Sequence, residues 1–149
     1  MIKTNEVIKD PYTDKEIELL LKKPNIKKCN FAEYRNWVLV NYLISTGNRI
    51  QTVINIKICD VDFENTLITL RHTKNRKQQI IPMSSSLNSI SVEYLEYRNG
   101  SSDNWLFCST YGQKLNTNSI YQAIKKHNIK HGVTKTSPHL FRHLLKTGF

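Results

Sequence analysis

The sequence predicts a mixed α+β domain, mostly helical, with a small antiparallel three-stranded sheet at one edge. Three observations carry that expectation. Apolar residues recur at helical spacing over most of the chain, the period shortens to two only between Val61 and Met83, and no repeat or linker-like stretch divides the sequence. Residues 1–149 therefore read as one domain. With 149 residues, 39% hydrophobic, five Gly and four Pro, the composition is that of an ordinary globular domain. A chain of this size buries roughly 70% of its unfolded surface, enough for a core without disulfide or metal staples.

The elements follow in order. Thr13-Asp14-Lys15-Glu16 has the pattern of a capping box before Ile17, Leu19, Leu20 and Leu21, so a first helix starts near Thr13 and ends before Pro24. A second helix begins near Phe31. Its apolar positions, Tyr34, Trp37, Val38, Val40, Tyr42, Leu43 and Ile44, cover more than one face, as in a well-buried helix, and Gly47 stops it. Arg49 to Ile56 keeps Ile50, Val53, Ile54 and Ile56 at helical spacing and reads as a short third helix. Three strands follow at Val61–Phe63, Leu67–Leu70 and Gln78–Met83, the first two joined by a turn at Glu64-Asn65-Thr66. The second connection, His72-Thr73-Lys74-Asn75-Arg76-Lys77, is a hairpin tip loaded with positive charge.

Ser84-Ser85-Ser86 caps a helix carrying Leu87, Ile90, Val92, Tyr94 and Leu95, which ends near Asn99-Gly100. Trp105-Leu106-Phe107-Cys108 is either a strand or a buried extended segment. Asn116 or Thr117 opens a helix that runs through Ile120, Tyr121 and Ile124 to Lys130. Ser137-Pro138 opens the last, with Ser as N-cap and Pro at the first helical position, which puts His139 and Arg142 in its opening turns.

Charge narrows the function classes. Lys and Arg number 22 against 12 Asp and Glu, a net +10. From Asn104 to Phe149 there is no acidic residue, and Lys114, Lys125, Lys126, Lys130, Lys135, Arg142 and Lys146 give that stretch +7. Such a face attracts polyanions, nucleic acid first, because phosphate neutralisation supplies most of non-specific affinity; the plain alternative is a solvated basic surface. Cys29, Cys59 and Cys108 form no CxxC pair, so buried thiols in a reducing cytoplasm are expected. The N-terminus offers no apolar stretch of signal-peptide length, and no segment runs apolar for ~18 residues, so neither secretion nor membrane insertion is expected.

Three basic sites belong together if the fold brings them so. Arg49 follows Gly47 where one helix ends and another begins, Lys74 sits on the hairpin tip, and His139 and Arg142 share a face at a helix start, a place that favours anions. Two guanidiniums, an ammonium and an imidazole around one phosphate would suit phosphoryl transfer: arginine neutralises charge bidentately, lysine and histidine move protons. Each residue also serves as an ordinary surface or capping residue, and spacing alone leaves the choice open. A rival chemistry is metal binding at His127 and His131, four apart on a helix, joined by Cys108 or His72; no third ligand has motif spacing, and an exposed basic helix is the simpler account.

Thr46-Gly47-Asn48-Arg49-Ile50, followed by Asn55-Ile56 and Asp60-Val61-Asp62-Phe63, resembles the first active-site box of the tyrosine recombinases, the phage integrase family. Thr73-Lys74-Asn75-Arg76-Lys77 leading to Ile80-Ile81-Pro82-Met83 is similar to the family's lysine hairpin. Ser137-Pro138-His139-Leu140-Phe141-Arg142-His143 is similar to its His-x-x-Arg box. The resemblance covers Thr13 to His143 and implies a tyrosine-recombinase catalytic-domain fold. It also implies DNA strand exchange with no metal or other cofactor, in which a tyrosine attacks the scissile phosphate to leave a 3′-phosphotyrosyl link. Carried over by motif, Arg49 and Arg142 hold the non-bridging oxygens, Lys74 protonates the departing 5′ oxygen, and His139 is acid/base on the tyrosine, in keeping with phosphoryl transfer as positioning and charge stabilisation. Arg71, Arg76, Lys77 and His143 are the expected DNA-backbone contacts.

Two features depart from the family pattern. Thr52 stands where an acidic residue commonly buttresses the first arginine, and Tyr12, Tyr34, Tyr42, Tyr94, Tyr97, Tyr111 and Tyr121 all precede the final box, whereas the family's nucleophile follows it. Five of these tyrosines lie in predicted helices, where a core or interface role is the default. The expectation is thus a recombinase catalytic domain that is incomplete at its C-terminus and has no N-terminal core-binding domain. As a bacterial or phage-encoded, cytoplasmic protein it would bind double-stranded DNA, singly or beside other recombinase protomers, and be inactive alone. The rivals are a non-catalytic remnant that regulates a full-length recombinase, and a generic basic nucleic-acid-binding protein in which Arg49, Lys74, His139 and Arg142 lie far apart.

Overall fold

The computed structural model describes residues 12–71 and 77–136. Among them, five helices and three strands run in the order α1 (Asp14–Leu20), α2 (Phe31–Thr46), α3 (Ile50–Ile54), a 3-10 turn (Ile58–Asp60), β1 (Val61–Asp62), β2 (Leu67–Leu70), β3 (Gln79–Pro82), α4 (Ser85–Arg98) and α5 (Thr117–Lys130). The expected fold class is the observed one. The Ser137-Pro138 helix, the first eleven residues and the hairpin tip at 72–76 lie outside the described residues.

Local chemistry sets the helix ends. Thr13 accepts from the Glu16 amide while the Glu16 carboxylate accepts from the Thr13 amide, closing the expected capping box. Asn30 and Glu33 close a second one at the start of α2. Gly47 ends α2 at φ 66°, a left-handed conformation that costs glycine nothing, and its amide donates to the Leu43 carbonyl.

Helix α2 is the axis of the core. It packs on α4 and α5 and is buried on nearly every side from Tyr34 to Ile44. Tyr42 meets Phe107 edge-on at 5.2 Å, Tyr94 stacks on Phe107 at 5.9 Å, and the Tyr94 hydroxyl donates to the Leu106 carbonyl at 2.8 Å. The 105–108 segment, which the sequence left between strand and extended coil, is an extended segment held by two isolated bridges, Lys57 to Trp105 and Cys108 to Lys114. Its middle, Leu106 and Phe107, is fully buried.

The sheet has the order β1-β2-β3, both pairs antiparallel, with Val61 opposite Ile68 and Ile68 opposite Ile81. Ile68 and Leu70 point into the core while β3 is largely exposed. The Glu64–Thr66 turn is tied by the Asn65 amide donating to Asp62 at 3.0 Å, and Thr66 takes a left-handed φ of 54°. Leu70 pairs with Gln79, so the chain leaves the ladder at Arg71 and re-enters at Gln79.

Two expectations need correction. Only Cys108 is a buried thiol; Cys29 is half-buried and Cys59 exposed, because Cys59 sits on the 3-10 turn whose inward position belongs to Asp60. The helix carrying His127 and His131 is not simply an exposed basic one: His127 is buried, since position 127 faces α1.

Candidate nucleic-acid interface

Arg49 is placed by its neighbours in sequence. The left-handed turn at Gly47 ends α2, two residues later Arg49 is the extended N-cap of α3, and its carbonyl accepts the amides of Thr52 and Val53 at 3.0 and 3.1 Å. The side chain makes no capping bond and is exposed, while Ile50, Val53 and Ile54 anchor the helix beneath it. No carboxylate among the described residues pairs with its guanidinium. Thr52 is buried directly beneath, so the position where the family pattern has an acid brings no charge to Arg49.

Arg71 stands at the exit of β2, where the hairpin begins. Its Nε donates to Asp60 Oδ1 at 2.6 Å, and Asp60, with no exposed side-chain surface, also accepts the Lys57 amide at 2.9 Å. That hydrogen bond holds the Arg71 guanidinium above its ordinary pKa. The hairpin base is thereby tied to the segment that follows α3. Lys77, on the returning side, is exposed. Lys74, Arg76, His139, Arg142 and His143, like His72, lie outside the described residues.

The histidine pair performs a structural task. His127 Nε2 lies 2.9 Å from the Leu20 carbonyl, His131 Nδ1 lies 2.8 Å from the His127 carbonyl, and the rings stand 4.1 Å apart. Burial pushes the His127 imidazole down to about 4, so it is neutral and its Nε2 is the donor. Among the described residues no group of three His, Cys, Asp or Glu side chains could hold a metal ion. A cavity of about 670 Å³ opens beside these rings, lined by Lys22, Lys28, Lys126 and Cys29. It sits at the opposite end of α2 and α5 from Arg49: Gln51 bonds Thr117 at the start of α5, whereas His127 meets α1 near its end.

Four of the seven tyrosines are buried. The Tyr34 hydroxyl donates to Glu93, Tyr42 shares a 2.5 Å hydrogen bond with Ser91, and Tyr12 accepts from Asn128 at 2.8 Å. Desolvation raises the pKa of Tyr12, Tyr34 and Tyr94 and pushes Tyr42 up to about 12. The core role expected of the helical tyrosines holds for Tyr34, Tyr42 and Tyr94, but Tyr97 is exposed and Tyr121 only half-buried. Tyr111 is 89% exposed.

The sequence reading passed over a cluster beside α3. The Lys114 and Lys57 ammoniums lie 4.4 and 5.2 Å from the centre of the Trp105 ring, and Lys114 also donates to Asn55 Oδ1 at 2.7 Å. Three distant stretches meet there. The one local signal was an aromatic residue inside the acid-free region.

Residues 12–148 match the model of a known family, the phage integrases. The chain belongs to the phage integrase family. This integrase-family chain is 27% identical to the tyrosine recombinase XerC of Chlamydia caviae, over 92% of its own length and 45% of the relative's. Among solved structures it resembles that of XerA recombinase with a TM-score of 0.79 at 24% identity, over 99% of this chain and 50% of that one. It also resembles the Tn1549 transposon integrase in complex with transposon right end DNA, TM-score 0.73 at 20% identity, over 99% and 57%. Its fold is thus that of the tyrosine recombinase catalytic domains, and the chain spans about half the length of the relatives it matches.

Proposed function

We propose that this integrase-family chain is the DNA-binding catalytic-domain portion of a site-specific tyrosine recombinase, and that the 149-residue polypeptide by itself grips duplex DNA without cutting it. The observation that carries the reading is Arg49: exposed, unpaired with any described carboxylate, and rigidly mounted between the Gly47 turn and α3 at the first-arginine position of the family motif. A guanidinium in that state offers a bidentate fork to a phosphate. Arg142 would take the same phosphate, Lys74 would donate a proton to the leaving 5′ oxygen, and His139 would serve the nucleophile. Arg71, Arg76, Lys77 and His143 would hold the flanking backbone. That the related Tn1549 integrase is seen with transposon right end DNA supports DNA as the partner; other recombinase protomers on the same DNA are part of this reading.

The chemistry stops short of cleavage because of the tyrosines this polypeptide has. Tyr12, Tyr34, Tyr42 and Tyr94 are buried with their hydroxyls engaged in internal hydrogen bonds, out of reach of a DNA phosphate. Tyr97, Tyr111 and Tyr121 precede the final motif box. Incubation with a nicked suicide duplex, followed by denaturing electrophoresis, tests this directly: binding without a covalent adduct is expected. A denaturant-resistant adduct from the wild-type chain would overturn it, and the Tyr97→Phe, Tyr111→Phe and Tyr121→Phe variants would then locate the nucleophile. Affinity for a mixed-sequence duplex should fall by orders of magnitude between low and physiological salt if about six or more phosphates are engaged. Salt-independent binding would sink the DNA reading altogether.

A further inference from the structure

We propose that Lys57 and Lys114, both seated on the Trp105 ring, together with Tyr111 on the turn that leads into Lys114, form a second duplex-DNA contact that engages backbone phosphates beside the one at Arg49. The inference rests on the DNA-binding reading above and extends it to residues that no motif assigns.

The cluster is built. Trp105 is fixed by its bridge to Lys57, and Lys114 by its bridge to Cys108. Both ammoniums lie close to one indole ring, at 5.2 and 4.4 Å, and the Asn55 side chain holds Lys114 further. A cation resting on an aromatic ring keeps its charge while losing much of its freedom, so less ordering remains to be done when an anion arrives. Neither lysine has a carboxylate partner among the described residues, although three other lysines do, Lys23, Lys130 and Lys135.

Tyr111 extends the same edge. It rides the tip of a turn between Cys108 and Lys114, closed by the Ser109 amide donating to the Gln113 carbonyl at 2.8 Å and the Gly112 amide to the Ser109 carbonyl at 2.9 Å. Gly112, at φ 81°, makes that tight reversal possible. Ser109 Oγ accepts the amides of Tyr111 and Gln113, so the turn is rigid although its tyrosine is 89% exposed. A phenol on a stiff support is a hydrogen-bond donor for a phosphate oxygen at small entropic cost.

The cluster is linked to Arg49 through α3. Arg49 and Asn55 cap the two ends of α3, about 9 Å apart along its axis. Lys114, bonded to Asn55, therefore stands at the opposite end of the same short helix from Arg49.

The test measures binding of the 149-residue chain to a mixed-sequence duplex as a function of salt, for the wild type and for Lys57→Gln, Lys114→Gln, the double variant and Tyr111→Phe, with thermal melting as the check on folding. The slope of log affinity against log salt should fall by about one per lysine and about two in the double variant. Tyr111→Phe should weaken binding by about tenfold or more with the slope unchanged, as for the loss of a hydrogen bond to a charged acceptor. Replacing single phosphates by neutral methylphosphonates should locate positions that matter to the wild type and not to the double variant. If the wild type shows a steep slope and Arg49→Ala weakens it, yet the double variant keeps the wild-type slope and methylphosphonate profile, the inference is wrong while the DNA reading stands. If the wild type does not bind duplex DNA at all, the DNA reading falls and takes this contact with it.

Discussion

Asp60 accepts from Arg71 across eleven residues of sequence, Oδ1 to Nε at 2.6 Å, with its carboxylate sealed from solvent and the guanidinium half in it. The pair joins the turn after α3 to the strand that enters the basic hairpin. It ties the base of the hairpin to the 3-10 turn at Ile58–Asp60.

Removing the carboxylate should therefore be costly. Asp60→Ala deletes the acceptor for both Arg71 Nε and the Lys57 amide, and losing hydrogen bonds from a buried charged acceptor should lower stability by about 1–3 kcal/mol. Denaturant unfolding checks this; Asp60→Asn, which keeps the shape but not the charge, should lose less. A variant as stable as the wild type would show that the pair is not a strut.

Gly47→Ala should destabilise the chain by roughly 1–2 kcal/mol, because a Cβ is strained at φ 66°. Gly47→Asn should be milder, since asparagine tolerates that region. Both variants shift the α2–α3 corner on which Arg49 stands, so the Ala variant should also bind DNA more weakly, in proportion to the disturbance of the turn.

Acid should unfold this protein early, and His127 supplies the reason. In the folded chain it titrates near 4, while in the unfolded chain it returns toward the ordinary 6.5. Between those values the unfolded state binds a proton that the folded state refuses, so stability is fully present above about pH 6.5 and declines as pH falls toward 4, by up to about 3 kcal/mol. Melting temperatures from pH 7 to 5 isolate the effect from the carboxylates, whose shifts act lower. His127→Gln can still donate to the Leu20 carbonyl and should flatten that pH dependence; an unchanged profile would refute the assignment.

Arg49→Ala should weaken binding to duplex DNA by about 1–3 kcal/mol, the scale of hydrogen bonds to charged groups. Arg49→Lys separates charge from geometry. It should restore the salt dependence but recover only part of the affinity, because an ammonium cannot make the two parallel bonds of a guanidinium. Anisotropy titrations across salt concentrations measure both quantities.

Element order and most helix ends were legible because their causes lie within a few residues. Thr13 and Glu16 are three apart, and Gly47 directly follows the last turn of α2. The capping box of Asn30 and Glu33 was equally local and was not read. The 105–108 segment was ambiguous for a physical reason: its bridging partners, Lys57 and Lys114, are distant or lie beyond a turn, and four apolar residues have too short a pattern to declare a period.

By itself, then, the sequence determined what depends on near neighbours: the α+β class, most helix ends, the place of Arg49 at the α2–α3 corner and the three motif boxes with their order. Tertiary structure decided what depends on packing between segments far apart in the chain. It buried His127 against α1 and so made it neutral, engaged Arg71 with Asp60, and set Lys57 and Lys114 on one indole. A side chain's charge state and partners follow from the groups that surround it in space, and for these residues those groups come from other elements, which no local pattern specifies.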